Sequence, residues 1–385
     1  MNSGVTAKPL DDREATAILT RALRDATAPS AGSVALDAER LVADARRHRV
    51  LLLLGWKLRA MGTLNEWPPK FVDEFLKAER EAVTVDCLRH AELDRVLAAL
   101  ASAGARVLPF KGAALAHTHY PASHLRVRAD TDLLVAVSEV PALKDVLGRL
   151  GYVRPPETSG RFVSYQSHHR KTDRHGVIHA FDVHWKISNV QALADRLTFE
   201  ELWESRIRIH SLGSSAVTTN GAYALLLALI HRAGHHPGSH DLLWIYDLHL
   251  LASRLTAVEM LQVQELAEAR GLSDIAWRGL ALAREWFGTA AVDQVVDVLR
   301  DRATHHEGAA VIQAPWSLAD ILRLDLDALP NWLARGQLIR EHLLPSAAYM
   351  RARYGVGSSL LLPGLYVWRV LQGAPKWLRK RDIDD

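Results

Sequence analysis

The chain reads as an α+β protein, a small mixed sheet flanked by N-terminal helices and a C-terminal helical domain. Three observations predict this. Apolar residues recur at helical spacing before residue 105 and again after residue 211. Between these regions, short runs of valine, leucine and phenylalanine are bounded by turn residues, as strands are. The 385 residues, 49% hydrophobic and 24% charged, suffice for two or three domains of an ordinary globular protein. The boundaries expected are a helical region over 1–105, a strand-bearing module over 106–210 and a helical domain over 211–385.

Taken in order, residues 1–10 are expected to be disordered. Ala35 to Ala45 and Val50 to Trp56 carry helical periodicity, and Gly62 to Pro69 is a break. A long helix follows from Phe71 to Ser102. Its buried stripe is Leu88, Leu93, Val96, Leu97 and Leu100, and Gly104 closes it. Arg106 to Phe110 reads as a short strand ending at Lys111-Gly112, and Ala113 to His117 starts a helix. Asp130 to Val135 is a second strand, and Val140 to Leu150 a helix ending at Gly151. Two further strands are expected at Phe162 to Gln166 and Val177 to Trp185, separated by the turn-rich Thr172 to Gly176. Tyr223 to His231 reads as a buried helix, and a second helix follows Asp241. At the end, Leu360 to Arg369 is apolar and Lys376 to Arg381 basic. A docked terminal helix is favoured over a membrane-surface anchor, because Pro363-Gly364 and Arg369 interrupt the apolar run.

Composition excludes several classes. A net charge of +3, from 47 basic and 44 acidic residues, is too small to demand a nucleic-acid partner. The single Cys87 excludes an intrachain disulfide and fits a reducing compartment. The first residues lack the apolar core of a secretory signal. No run approaches the ~18–20 apolar residues of a membrane helix. A cytoplasmic protein without stable membrane insertion is expected. Most of the eleven tryptophans are expected as core or interface anchors.

The stretch 106–135 carries the chemistry. Asp130 and Asp132 lie one residue apart on a strand, so their side chains share a face, about 6–7 Å apart. They could hold one divalent cation, or two sharing a bridging carboxylate. Oxygen ligands of this kind suit Mg²⁺, whose remaining positions take phosphate and water. Upstream, Gly112 lets the backbone come close to a ligand. The helix that follows offers its first amides to an anion, and Lys111 adds a point charge there. In the later strand Asp182 and His184 share one face, and Phe181, Val183 and Trp185 the other.

Lys111-Gly112, Arg126 four residues before Asp130, and Asp130-Thr131-Asp132-Leu133-Leu134-Val135 together resemble the nucleotidyltransferase superfamily with a DNA polymerase β-type palm. More narrowly they resemble the bacterial uncharacterised nucleotidyltransferase family, related to the AbiEii-type toxins. The resemblance continues through Asp182-Val183-His184-Trp185, a His-bearing helix and the Trp244-x-x-Asp247-Leu248 helix, and reaches Leu343 to Ser346 and Tyr349 to Tyr354. Thr131 stands where the family usually has isoleucine, and Arg128 also departs from the usual residue. Lys-Gly replaces the Gly-Ser signature of classical members. The resemblance implies that residues 106–210 form the palm. It implies Asp130, Asp132 and Asp182 as catalytic and metal-holding carboxylates, Asp182 supplying the third from a neighbouring strand. It implies Lys111, Gly112, Arg126 and His184 as nucleotide-binding residues. The cofactors implied are two Mg²⁺ ions, with an NTP as co-substrate. The acceptor hydroxyl is left open among protein, sugar, small molecule and tRNA end.

Alternatives stand beside these roles. Asp173 competes with Asp182 but falls in a turn. Arg126 either braces the aspartates through a bidentate ion pair or touches phosphate. His184 contacts phosphates or packs. His231 and His235, one helical turn apart, invite zinc, but no H-E-x-x-H pattern or cysteine partner completes a site. Contacts to the metal-holding residues or to substrate across the domain cleft, capping and core packing are the other readings for His231, His235, His236 and His240. A non-catalytic nucleotide-binding or regulatory protein, or a kinase-type phosphotransferase on the same metal site, are the rival functions.

Overall fold

The structure, a computed structural model, describes residues 11–25, 37–158, 160–235, 240–303 and 318–378. Residues 1–10, His236 and Arg379 to Arg381, all singled out above, lie outside the described residues.

Helices α1 (Asp12–Asp25), α2 (Ala38–Arg47), α3 (Leu51–Ala60) and α4 (Pro69–Ser102) come first. The Asp37 carboxylate accepts from the Arg40 amide at 2.9 Å and caps α2. Pro69 opens α4 at a position whose amide would have no helical partner. With 34 residues, α4 is about 51 Å long. Phe71 and Phe75 at its start are buried in one core, and Leu93, Val96, Leu97 and Leu100 near its end in another. Leu88 is only half-buried. Gly104, at φ +76, turns the chain out of the helix.

The module that follows runs β1 (Val107–Pro109), α5 (Lys111–Thr118), β2 (Thr131–Val135), α6 (Val140–Arg149), β3 (Gln166–Thr172) and β4 (Ile178–His184). The strand order is β1-β2-β4-β3. β2 and β4 are parallel, and the outer pairs antiparallel, so the sheet is mixed. Val107, Leu133, Val135, Phe181 and Val183 are buried with the second half of α4 and with α6. Leu108 and Leu134 belong to the opposite core. Short α7 (Gln191–Ala194) and α8 (Phe199–Glu204) follow, the latter opened by a Thr198–Glu201 capping box. A hairpin of β5 (Arg206–Arg208) and β6 (Val217–Thr219) is tied to β1 by the Thr218 hydroxyl, which donates to the Pro109 carbonyl at 2.8 Å.

The remainder is helical: α9 (Gly221–His235), α10 (Leu242–Arg254), α11 (Ala257–Ala269), α12 (Ser273–Phe287), α13 (Asp293–Arg302), α14 (Leu318–Ala328), α15 (Trp332–Leu343), α16 (Ala347–Tyr354) and α17 (Leu362–Leu378). The larger core joins α1–α3 and the start of α4 to α9–α13, so the first and last thirds of the chain share one apolar interior. The architecture is the expected α+β fold, a small mixed sheet with helices on both sides.

One local expectation is corrected. The strand placed at Phe162 to Gln166 lies instead at Gln166–Thr172. The amides of Arg161, Phe162 and Val163 all donate to the buried Glu341 carboxylate, which holds that stretch as a loop. As expected of most tryptophans, Trp67 is buried and Trp56, Trp185, Trp203, Trp277 and Trp286 pack against the two cores, whereas Trp332 is 77% exposed and Trp368 51%. The terminal helix docks as expected, with the Tyr366 hydroxyl donating to the Pro345 carbonyl at 2.7 Å, while Val367, Trp368 and Leu371 on it, and Leu360 just before it, are exposed. No described helix is long and apolar enough to cross a membrane.

Candidate active site

The β2–β4 pairing sets the site. Its register puts Asp132 opposite Asp182 and Leu134 opposite His184. Alternation then directs Asp132, Asp182 and His184 to the face away from α6, while Leu133, Phe181 and Val183 anchor the strands from behind. One ligand atom each from Asp132, Asp182 and His184 lie within 4.8 Å of one another. Asp130 sits one residue before β2, and it is not a member of that group.

Lys111 leaves β1 at φ +52, a left-handed conformation that non-glycine residues seldom adopt. Its Nζ donates to Asp132 Oδ1 at 2.9 Å and lies 4.7 Å from the Phe110 ring centre. His184 Nε2 lies 2.8 Å from the same oxygen. Burial, then the Lys111 charge, push the His184 ring below its ordinary range, so it is neutral near pH 7. With its hydrogen on Nε2 it donates to Asp132, and the Lys111 nitrogen 3.4 Å away shares the acceptor. His184 is thereby tied to Asp132 through Nε2.

Asp132 and Asp130 are shifted in opposite directions. Burial works to raise Asp132, but the Lys111 charge and the hydrogen bonds from His184 and Lys111 outweigh it and hold the group well below the usual carboxylate range. Asp130 is pushed up to about 6 by burial and by the charges of Asp132 and Asp182. Asp182 Oδ1 lies 2.6 Å from Nδ1 of His168, its register partner on β3. That bond, and then the Asp182 charge, raise the imidazole against burial. A crowded acid with raised proton affinity, as Asp130 is, marks a place that favours a hard cation.

Arg126 goes elsewhere than expected. Its Nη2 donates to Asp247 Oδ2 at 2.6 Å, and its Nε lies 3.2 Å from both Asp247 oxygens. The Tyr120 hydroxyl adds a bond to Asp247 at 2.7 Å. The pair is buried, and it fastens the loop before β2 to α10. Arg126 thus makes a bidentate bond, but to Asp247 rather than to Asp130 or Asp132. The close approach expected at Gly112 is made by this guanidinium: a Cβ there would stand 2.8 Å from Arg126 Nη1 and 3.1 Å from Cζ.

Asp173 lies at the far end of the β3–β4 hairpin. Its carboxylate accepts from the His175 and Val177 amides at 2.8 and 2.9 Å and pairs with His179, bonds that close the turn. Among the described residues, His231 and His235 form no grouping with metal-ligand spacing.

Sequence reasoning missed two partners, His168 and Asp247. Asp247 was in view within the Trp244-x-x-Asp247-Leu248 pattern, but nothing local connects it to Arg126. His168 was hidden by the misplaced strand; at its true register the even positions of β3 face Asp182.

No curated protein matches the chain. The model of a family described as uncharacterised nucleotidyltransferase matches residues 35–288, a span that holds every residue of this site and well over half of the chain, and the protein belongs to that family.

Proposed function

We propose that the protein is a Mg²⁺-dependent nucleotidyltransferase that moves an NMP from an NTP to an acceptor hydroxyl and releases pyrophosphate. The observation that carries this reading is the β2–β4 register, which sets Asp132 beside Asp182 with the Lys111 ammonium on Asp132. The donor set fits a hard divalent cation, because carboxylate oxygens dominate it and Asp130 retains a proton too readily for an unperturbed acid. Asp132 and Asp182, with Asp130 beside them, would hold Mg²⁺, which when bound supplies charge stabilisation to the attacking and leaving oxygens. Residues 106–210 act as the palm in this reading, flanked by the two helical regions, and kinship with AbiEii-type toxins is part of it.

The chain's own residues divide the work. Lys111, at the start of α5, exchanges Asp132 for the NTP phosphates, where helix amides also converge. His184 holds Asp132 ionised and oriented. Asp182 takes the proton as the acceptor oxygen bonds to the α-phosphorus and the bond to the β-phosphate oxygen breaks. His168 fixes the Asp182 carboxylate. The acceptor is a hydroxyl of a protein, a small molecule or a tRNA end.

The test uses ATP labelled at the α or the γ phosphorus, candidate acceptors and intact-mass detection, on the wild type and Lys111→Ala. Label moves from the α position only, and Lys111→Ala weakens ATP binding more than Mg²⁺ binding. Transfer of the γ label would make the protein a phosphotransferase instead. Absence of both ATP and Mg²⁺ binding would make it a non-catalytic member.

A further inference from the structure

Between α4 and the segment leading from Ser123 into β2 lies a cleft of about 110 Å³. At about 30 Å³ per water this is room for roughly four waters, or for one tetrahedral oxyanion. Three arginines line it, Arg89, Arg126 and Arg128, and Asp86 is the one carboxylate in its wall.

The charges do not balance. Arg126 is committed to Asp247 behind it. Asp86 accepts from Arg128 Nη2 at the long distance of 3.3 Å and also from the Ser123 hydroxyl. Arg89 donates to the Arg128 carbonyl at 2.8 Å, an uncharged acceptor, and pairs with no carboxylate among the described residues. The Arg128 side chain is 5% exposed, and its Nε is buried without a hydrogen-bond partner. Burial, together with the charges of Arg89 and Arg126, pushes the Arg128 guanidinium below its ordinary value despite Asp86. A buried guanidinium with an unmet donor, among like charges, calls for an anion. Arg89 also borders the gap beside Asp130 and Thr131, so the cleft adjoins Asp130.

We propose that this cleft is a subsite for an oxyanion, a phosphate or carboxylate group carried by the acceptor substrate. The assignment rests on the nucleotidyl-transfer reading, in which the Lys111 turn takes the phosphates of the NTP. Guanidinium planes suit oxyanions through paired, charge-assisted hydrogen bonds, and Arg128 and Arg89 supply them from two sides. The acceptor is thereby a molecule bearing both a hydroxyl and a negative group.

Inorganic phosphate is the probe. It is titrated against the full chain, with thermal melting as the readout, for the wild type, Arg128→Gln, Arg128→Lys and Lys111→Ala, with and without saturating MgATP. Phosphate raises the wild-type melting temperature, and it still does so in Lys111→Ala and with MgATP bound. Arg128→Gln weakens phosphate binding at least ~10-fold, the scale of one charge-assisted hydrogen bond, and leaves ATP binding unchanged. Arg128→Lys, which keeps the charge, loses less. If Arg128→Gln fails to fold, Arg89→Gln replaces it. Unchanged phosphate affinity in the Arg128 and Arg89 variants overturns the subsite. Competition between phosphate and MgATP also overturns it, by assigning the cleft to the nucleotide. A wild type that binds phosphate through Arg128 but no ATP counts against nucleotidyl transfer and leaves the anion site standing.

Discussion

Asp130→Asn should stabilise the protein at neutral pH in the absence of divalent cations. Asp130 titrates at about 6 in the folded chain against an ordinary 3.8, because burial and the charges of Asp132 and Asp182 disfavour its ionised form. A folded-state pKa above the unfolded one means that the favourable contribution is full below about pH 4 and is lost as pH rises through 6. The gap corresponds to about 3 kcal/mol at 1.36 kcal/mol per pKa unit, and partial exposure reduces it to about 2 kcal/mol. Asparagine keeps the shape and cannot ionise. Urea unfolding at several values between pH 4.5 and 8 measures the difference between wild type and variant. The variant should be more stable by ~2 kcal/mol at pH 7.5, with the advantage closing as pH falls toward 4.5. Added Mg²⁺ should stabilise the wild type more than the variant. A variant no more stable than wild type at pH 7.5, or an advantage independent of pH, would refute the crowding of carboxylates at this end of the sheet.

Three further outcomes are expected. Asp182→Asn should lower turnover at least ~10²-fold while keeping ATP binding, whereas Asp173→Asn, which only closes a turn, should keep its turnover; steady-state kinetics that rank them the other way would reassign the third carboxylate. Gly112→Ala should cost ~1–3 kcal/mol, because its Cβ meets a guanidinium that Asp247 prevents from moving, and a melt comparing it with Gly148→Ala, where a Cβ meets nothing, isolates the clash. Asp247→Ala should cost ~3–5 kcal/mol by leaving Arg126 buried and unpaired, and replacing both partners by Met and Leu should cost much less; a double-mutant cycle without that asymmetry would mean that water reaches the pair.

The fold class and the two central strands were legible because their apolar faces repeat with the period of a strand. Leu133, Val135, Phe181 and Val183 could point only one way, which left Asp132, Asp182 and His184 the other. β3 was misread because the residues it buries, Ser167 and His169, are polar and bond each other at 3.1 Å, so its alternation carries no hydrophobic signal. Arg126 was legible as a residue that matters but not by its partner. Its ion pair joins positions 121 residues apart, and no local pattern encodes which of many acids will meet it. Thr131 is buried on β2 facing away from the acids, as the alternation required.

The shared core of α1–α3 with α9–α13 has a consequence for synthesis. The buried residues of α1, among them Leu19 and Leu23, leave the ribosome early, but α12, which packs against α1, arrives about 250 residues later. At about 5–20 residues per second, this apolar surface waits roughly 12–50 s for its partner. During that interval the nascent chain is a client for holding chaperones, and a prematurely terminated product lacking α9–α13 would aggregate rather than persist as a folded fragment.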